Sequence, residues 1–332
     1  MNQQTAFQEL VTGIETTVQI FETDDPAAVS DGFETLEQDV VKLEKKPFQA
    51  KRLMVSIDGI SFLYQFVNHR LRINTKLDDH LIAFAVFGQQ TQSTFDGRML
   101  TPEWLVAVEP GATQEFVMEP GHESITCLIS PDKLRKFLDK RGRMGEFRIP
   151  CGLEVFPATD TWMRAIFKYG KRLIHKTAYR TDLIKSDRAK NKFLFQELLN
   201  RMLVVFQSGE NPAPSRRDRT RGTYGQIVRQ IQSYAMANIG QPTRMVDFCK
   251  ITGVSERTLQ HAFHEFFGLS PFAYLSLLRL HRVRQTLRTE SRATTTVTAV
   301  ASEWGFWQFG EFSRIYKKCF GELPSDTLLR QS

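Results

Sequence analysis

Short apolar runs between residues 51 and 130 predict β-strands. Six of these runs are rich in branched and aromatic residues, and Gly, Asp, Asn or Pro separates them. The runs are RLMVSI, SFLYQFV, LIAFAVF, EWLVAV, QEFVM and SITCLI. Short strands at such spacing are typical of barrels and sandwiches. The pattern therefore predicts a β-rich N-terminal domain, built as a cupin-like barrel or a sandwich.

After Pro131 the apolar positions recur with the period of an α-helix. The segment PDKLRKFLDKRG begins with Pro and ends at Gly, which are common residues at the two ends of a helix. Longer helices are predicted at about 160–179 and 183–207. The second contains FLFQELLNRMLVVF, which is apolar around most of its circumference and therefore needs to be buried. Burial within the chain and burial in a dimer interface both remain open.

The segment 208–222 has the composition of a linker. Its sequence, SGENPAPSRRDRTRG, combines Pro, Gly and Ser with four arginines and has no apolar period. It divides the chain into a predicted N-terminal domain over residues 1–207 and a C-terminal domain over 223–332. Its basic end is compatible with a solvated hinge and with a contact to a phosphate backbone.

The last hundred residues contain an internal repeat. ITGVSERTLQHAFHEFFGLSP at 251–271 aligns with EWGFWQFGEFSRIYKKCFGELP at 303–324, and both copies close with Gly-x-x-Pro. In each copy the apolar residues follow the spacing i, i+3, i+4, i+7, i+8, which is one face of an α-helix. These residues are Leu259, Ala262, Phe263, Phe266 and Phe267 in the first copy, and Phe312, Ile315, Tyr316, Cys319 and Phe320 in the second. We expect both faces to be buried, together with Trp304, Phe306 and Trp307 of the second turn.

A short helix and a glycine precede each of these longer helices. The short helices are predicted at 243–250 and 297–304, and Gly253 and Gly305 provide the positive φ that a sharp turn needs. Helix, turn and helix in this order form the motif whose second helix enters the major groove of DNA. A linker helix at about 271–288 would span roughly 25 Å, near the ~34 Å of one DNA turn. The predicted class is α+β, with a C-terminal all-α domain that holds two helix-turn-helix motifs.

The net positive charge of the chain lies in its C-terminal third. The 332 residues carry a net charge of +7. From Ala213 onward there are 17 Lys and Arg against 9 Asp and Glu, which leaves a net charge of −1 for the preceding residues. A basic domain on a neutral body indicates a polyanionic partner, most often nucleic acid. A basic surface kept for solubility is an equally open interpretation.

The outward sides of the two longer helices carry polar groups that suit DNA. The first helix presents Arg257, Gln260, His261 and His264, and the second presents Gly310, Ser313, Arg314 and Lys317. Gln can pair with adenine, and Arg can pair with guanine or a phosphate. A solvated surface would carry the same residue types, so the pattern alone leaves both interpretations open.

The stretch from about 224 to 329 resembles the DNA-binding domain of the AraC/XylS transcriptional regulators. The segments VASEWGF and FSRIYKKCFGELPS carry this resemblance. GFWQFGEFSRIYKKCFGELPSDTL, and more weakly STFDGRMLTPEWLVAVEPGATQEF, are similar to the branch of the family that contains the ethanolamine-utilisation regulator. The resemblance implies an N-terminal domain that binds a small-molecule effector and dimerises, a C-terminal domain that binds double-stranded DNA, and activation through RNA polymerase.

The resemblance also implies individual DNA contacts. Arg257, Gln260 and His261 would serve the first reading helix, at about 255–266, and Gln308, Phe309, Glu311 and Arg314 the second, at about 308–319. Many members of the family have a side chain where this chain has Gly310, so contacts from Phe309, Lys317 and Lys318 would carry more of the binding. Glu311 could accept from cytosine or could hold Arg314 in place.

A different class of function is a cupin-type metal enzyme in the β-rich region. Such an enzyme needs clustered His and carboxylate ligands. The region offers only His69, His80 and His122, without an HxH pair. The chain has no GxSxG, GKS, GKT or GxGxxG motif, and its four cysteines form no CxxC pair. We therefore expect no catalytic residue, metal or cofactor. A DNA-binding regulator without an effector is the remaining alternative.

The N-terminal sequence and the apolar runs indicate a cytoplasmic protein without a membrane partner. MNQQTAFQELVTG has neither a basic start nor a long apolar core, so a signal peptide is not expected. The longest apolar run, at 81–87, is far shorter than the ~18 residues needed to cross a bilayer.

Overall fold

The structure, a computed structural model, contains two compact units. It describes residues 3–9, 16–24, 29, 36–43, 48–89, 93–180, 188–209, 211–213, 215–239 and 243–329. The first unit comprises Met1–Asp39, Pro47–Phe95 and Met99–Ala213. The second comprises Val40–Lys46, Asp96–Arg98 and Pro214–Ser332.

The strands of the described residues form two sheets. They are β1 (Gln3–Glu9), β2 (Thr16–Thr23), β3 (Leu36–Lys42), β4 (Ala50–Ile57), β5 (Ile60–Val67), β6 (Leu71–Leu77), β7 (Ile82–Phe87), β8 (Thr94–Phe95), β9 (Arg98–Met99), β10 (Trp104–Val108), β11 (Thr113–Met118), β12 (His122–Ile129) and β13 (Leu153–Pro157). One sheet has the order β1-β2-β4-β5-β12-β7-β10-β13, and the other has the order β3-β6-β11-β8-β9. The recorded pairings between neighbouring strands are antiparallel, as in the predicted barrel or sandwich.

The eight-stranded sheet is apolar on both faces. In β7, Phe84 and Val86 belong to the core that also contains helical side chains, whereas Ala83 and Phe87 belong to a second core with residues of the other sheet. Successive side chains of a strand point to opposite faces, so a strand buried on both sides reads as one continuous apolar run. This explains the run LIAFAVF.

In the described part of the first unit, the α-helices are α1 (Pro131–Asp139), α2 (Asp160–Tyr179) and α3 (Arg188–Ser208). The Ser130 side chain accepts a hydrogen bond from the Lys133 amide and caps α1. α2 has the predicted bounds. α3 is described from Arg188 onward, and the predicted start at about 183 lies in residues 181–187, outside the described part of the chain. The apolar face of α3 packs within the unit's own core through residues such as Phe195, Leu199 and Phe206. Burial of this face therefore does not require a dimer.

The second unit is helical. Its helices are α4 (Arg216–Ala237), α5 (Met245–Thr252), α6 (Glu256–Phe267), α7 (Pro271–Thr289), α8 (Val297–Glu303), α9 (Phe309–Phe320) and α10 (Pro324–Leu329). α4 starts inside the range 208–222, which the composition predicts to be a linker. The side chain of Ser215 accepts from the Asp218 amide, and the Asp218 carboxylate accepts from the Ser215 amide, which starts a helix there.

Both copies of the repeat form the predicted helices, but only the first buries its whole apolar face. All five apolar residues of α6 are buried. In α9, Phe312 and Tyr316 are buried, Ile315 and Phe320 are partly buried against the same core, and Cys319 is half-buried. Both turn glycines, Gly253 and Gly305, have positive φ, at 69° and 79°. Together with the two sheets, this confirms the predicted α+β class.

The prediction for the aromatic residues of the second turn is wrong at one position. Trp304 and Phe306 pack against the core of α7 and α9, and Trp304 Nε1 donates to Thr286 Oγ1 at 3.3 Å. Trp307 is 65% exposed instead. It lies in the non-helical turn before α9, where helical periodicity does not determine which side chains point inward.

Candidate nucleic-acid interface

Helix α6 presents its four predicted contact residues together on an exposed face. Ser255 begins the helix by accepting a hydrogen bond from the Thr258 amide. The apolar residues occupy one face, so the opposite face carries the polar ones. Arg257, Gln260, His261 and His264 are all exposed. Gln260 Nε2 donates to Glu256 Oε1 at 3.0 Å, one helical turn earlier.

The first turns of α4 add positive charge to this face. Arg217 and Arg221 line an open cleft of about 840 Å³ together with the four contact residues of α6. Arg221 Nε donates to Glu265 Oε1 at 3.0 Å, and Glu265 Oε2 lies 3.7 Å from His261 Nδ1. Glu265 thereby fixes Arg221 beside α6. The sequence pattern left these arginines as an open alternative because they fall in the apparent linker.

On α9, the two residues of opposite charge form a bidentate ion pair. Arg314 Nε donates to Glu311 Oε2 at 3.0 Å, and Arg314 Nη2 donates to Glu311 Oε1 at 2.6 Å. The hydrogen bonds from Arg314 lower the pKa of the exposed Glu311 carboxyl below its usual value. Without DNA, Glu311 therefore holds Arg314 in place.

The other predicted residues of the second motif surround this pair. Gln308 is the residue before the first turn of α9, and Phe309 begins the helix; both are exposed. Lys317 and Lys318 are exposed in the last turn, and Ser313 is half-buried. The exposed Trp307 lies immediately before these residues and is a candidate contact that the sequence pattern assigned to the core.

Gly310 leaves an open space on the exposed face of α9. A Cβ atom added at this position would meet no other atom within 4 Å, and its φ is not positive. The glycine is therefore required neither by packing nor by backbone conformation.

Part of the positive charge on α7 serves the fold. Arg284 is buried, donates to Glu322 Oε1 at 2.9 Å, and has its guanidinium 4.5 Å from the centre of the Phe320 ring. Arg279, on the same helix, is half-buried, and this burial lowers the pKa of its guanidinium below the ordinary value. Arg284 therefore stabilises the second half of the helical unit, and we do not assign it to the DNA-facing surface.

The described part of the chain offers no group of three His, Cys, Asp or Glu placed to hold a metal ion. In the same part, no helix combines the length and apolar character needed to pass through a bilayer.

Known proteins are similar to this chain in its C-terminal region. Residues 248–330 match the family model of a helix-turn-helix domain. The probable thc operon regulatory protein of Rhodococcus erythropolis is 35% identical over 102 residues, which are 31% of this chain and 31% of that protein. The XylDLEGF operon transcriptional activator of Pseudomonas putida is 29% identical over 106 residues, which are 32% of each protein. The crystal structure of a probable AraC family transcriptional regulator from Rhodopseudomonas palustris CGA009 is 38% identical, covers 32% of this chain and 97% of that chain, and has a TM-score of 0.30.

These similarities concern one region of the molecule. The C-terminal region carries a helix-turn-helix domain and is similar in sequence to regulators of operons, in agreement with the motifs predicted from the sequence. The matched part spans about a third of the length of these curated relatives. The names of these relatives describe a probable operon regulatory protein and a transcriptional activator. They do not bear on the ethanolamine-utilisation branch, which stays a prediction.

Proposed function

We propose that this protein is a transcriptional regulator that binds duplex DNA through α6 and α9. The observation that carries the proposal is the arrangement of these helices. Each follows a shorter helix and a left-handed glycine, buries one apolar face, and exposes a polar face. The second helix of such a motif is the one that enters the major groove.

In this proposal one molecule reads two neighbouring major grooves. α7 joins the two motifs and has 19 residues, which corresponds to roughly 28 Å of helix. One turn of DNA rises about 34 Å, so a rod of this length suits two helices on the same side of a duplex. The contacts would come from the predicted residues, with Arg217 and Trp307 added from the geometry.

The proposal extends to activation, dimerisation and response to an effector. The name of the P. putida relative describes a transcriptional activator, which favours activation through RNA polymerase for this chain. The first unit holds a mostly apolar cavity between strands of the two sheets, which supports binding of a small molecule there. Because its proposed target is DNA, we also expect the protein to act in the cytoplasm.

The test is a footprinting experiment with the full-length chain on the DNA upstream of its own gene. The same experiment is then carried out with a double variant that has one substitution in each reading helix. Replacing His261 and Arg314 by Ala should abolish protection of the specific site, because each lost base contact costs about 1–3 kcal/mol. The circular dichroism spectrum should stay unchanged, since both side chains are exposed.

A matched control replaces by Ala two exposed cations at the C-terminal end of α1, namely Lys136 in its last turn and the C-cap residue Lys140. This control should retain the footprint. Full sequence discrimination by the His261/Arg314 double variant would contradict the proposed reading helices.

A further inference from the structure

The two sheets of the first unit enclose a mostly apolar cavity. About 70 Å³ of it is open to the centre of a water-sized sphere. The walls include Leu63, Ala85, Phe87, Val106 and Phe116. A buried water needs about 10–15 Å³ on this measure, so the cavity has room for about five. That space corresponds to a ligand of roughly five to eight non-hydrogen atoms.

Two polar side chains in the wall have nitrogen atoms without a hydrogen-bond partner among the described residues. Gln114 is 6% exposed and His122 is 1% exposed. Gln114 Nε2 and His122 Nε2 are both fully buried, and neither makes a hydrogen bond to the described part of the protein. Gln114 lies on β11 of the five-stranded sheet and His122 on β12 of the eight-stranded sheet, so the two walls of the cavity contribute one each.

We assign the proton on the His122 ring from its partners. Ser93 Oγ accepts the Glu119 amide hydrogen at 3.1 Å and lies 2.8 Å from His122 Nδ1. A serine hydroxyl can donate one hydrogen bond while it accepts another, so we take Ser93 as the donor to Nδ1, and this tautomer carries the ring hydrogen on Nε2. Burial lowers the pKa of His122 to about 4, so the ring is neutral at pH 7. His122 therefore offers an N–H donor to the cavity, and so does the amide of Gln114.

The lining also determines the charge of a suitable ligand. Among the described residues around the cavity, none is Lys, Arg, Asp or Glu. A carboxylate would lose its hydration there without gaining a cation, which is unfavourable. A carbonyl oxygen carries no net charge, accepts hydrogen bonds, and would satisfy donors whose burial without a partner is costly.

We propose that the cavity binds a small uncharged carbonyl compound, such as a ketone or an amide, whose oxygen accepts hydrogen bonds from the Gln114 and His122 donors. The role of this compound as the effector rests on the proposed function. The binding itself rests only on the cavity.

The first experiment compares four probes by calorimetry and thermal shift on the full-length chain. Cyclopentanone and butanamide carry the acceptor, methylenecyclopentane has the shape of the ketone without the oxygen, and butanoate carries a charge. We expect at least one of the carbonyl compounds to bind about tenfold more tightly than the hydrocarbon, and butanoate not to bind. Equal binding of ketone and hydrocarbon, preference for butanoate, or no binding of either carbonyl compound would overturn the proposal.

The second experiment assigns the donors with a matched pair of variants. Gln114→Leu should reduce the preference for the carbonyl probe to less than about threefold. Gln65→Leu should retain it, because Gln65 lines the same cavity but its Nε2 already donates to the Met118 sulfur at 3.1 Å. An unchanged preference in Gln114→Leu contradicts the assignment. If that variant does not fold, the comparison of probes on the unmodified chain still decides the proposal.

DNA footprinting with and without the bound carbonyl probe separates this inference from the proposed function. Tight binding of the probe with an unchanged footprint would keep the carbonyl site and remove its effector role. Absence of any footprint would contradict the proposed function and leave the binding result intact.

Discussion

At the scale of single residues, two glycines of the second unit have equal free space for a Cβ atom but different backbone conformations. A Cβ added to Gly253 or to Gly310 would meet no atom within 4 Å. Gly253 has a φ of 69°, whereas the φ of Gly310 is not positive. The pair therefore separates the effect of conformation from the effect of packing.

Gly310→Ala should stabilise the protein by up to about 0.5–1 kcal/mol, because Gly lowers helix stability relative to Ala. Gly253→Ala should destabilise it by about 1–2 kcal/mol, because an L-residue is strained in the left-handed region. Urea denaturation of the two variants measures both changes. A shift of the same sign in both would contradict the assigned roles.

Buried histidines connect single residues to the pH dependence of stability. Burial lowers the pKa of His122 to about 4 and that of His281 to about 3. The ordinary value is about 6.5, so between these values the unfolded chain binds more protons than the folded chain. The free energy of unfolding should therefore decrease as the pH falls from about 6.5 to about 4.

Thermal melts at a series of pH values test this prediction. His122→Gln should remove about 3 kcal/mol of the acid-induced loss, and His281 together with His175, whose pKa burial also lowers, should account for the remaining histidine-linked part. The control is His80→Gln, a substitution at an exposed position. Its melting temperature should depend on pH as that of the unmodified protein does. A steep loss that is identical in all three proteins would show that carboxyl groups cause it.

At the scale of elements, the repeat was predictable and the start of α4 was not. The apolar spacing of α6 and α9 spans two helical turns, and the paired glycines determine the turns before them. Residues 216–222 contain five charged side chains and no apolar period, so periodicity could not identify a helix. The signal that could have found it is local, namely the spacing Ser-x-x-Asp at Ser215 and Asp218.

This capping interaction should support DNA binding through Arg217. Ser215→Ala should cost about 1 kcal/mol of helix stability and should loosen the first turn of α4, which positions Arg217. We expect faster amide exchange in that turn and a severalfold lower DNA affinity. Ser233→Ala, an exposed position in the same helix, should change neither property. Equal effects of both substitutions would contradict a capping role.

At the scale of the whole molecule, the change from strand-like runs to helical periodicity identifies the two kinds of domain, and the charge distribution indicates which of them we propose to bind DNA. The cavity was not predictable in the same way. β7 and its neighbours are apolar on both faces, so the sequence does not say which face packs on helices and which lines the cavity. That choice depends on the pairing of distant strands.

The charge distribution predicts how DNA binding should respond to salt. Five exposed or cleft-lining cations belong to the proposed interface, namely Arg217, Arg257, Arg314, Lys317 and Lys318. If each neutralises one phosphate, the logarithm of the binding constant should fall with the logarithm of salt concentration with a slope of about −4.5. Replacing both Lys317 and Lys318 by Ala should reduce the slope by about two units, because two counterions fewer are released. Titrations between low and moderate salt measure both slopes, with the Lys136/Lys140 double variant as the control. A slope that does not change in the α9 variant would place these lysines outside the DNA interface.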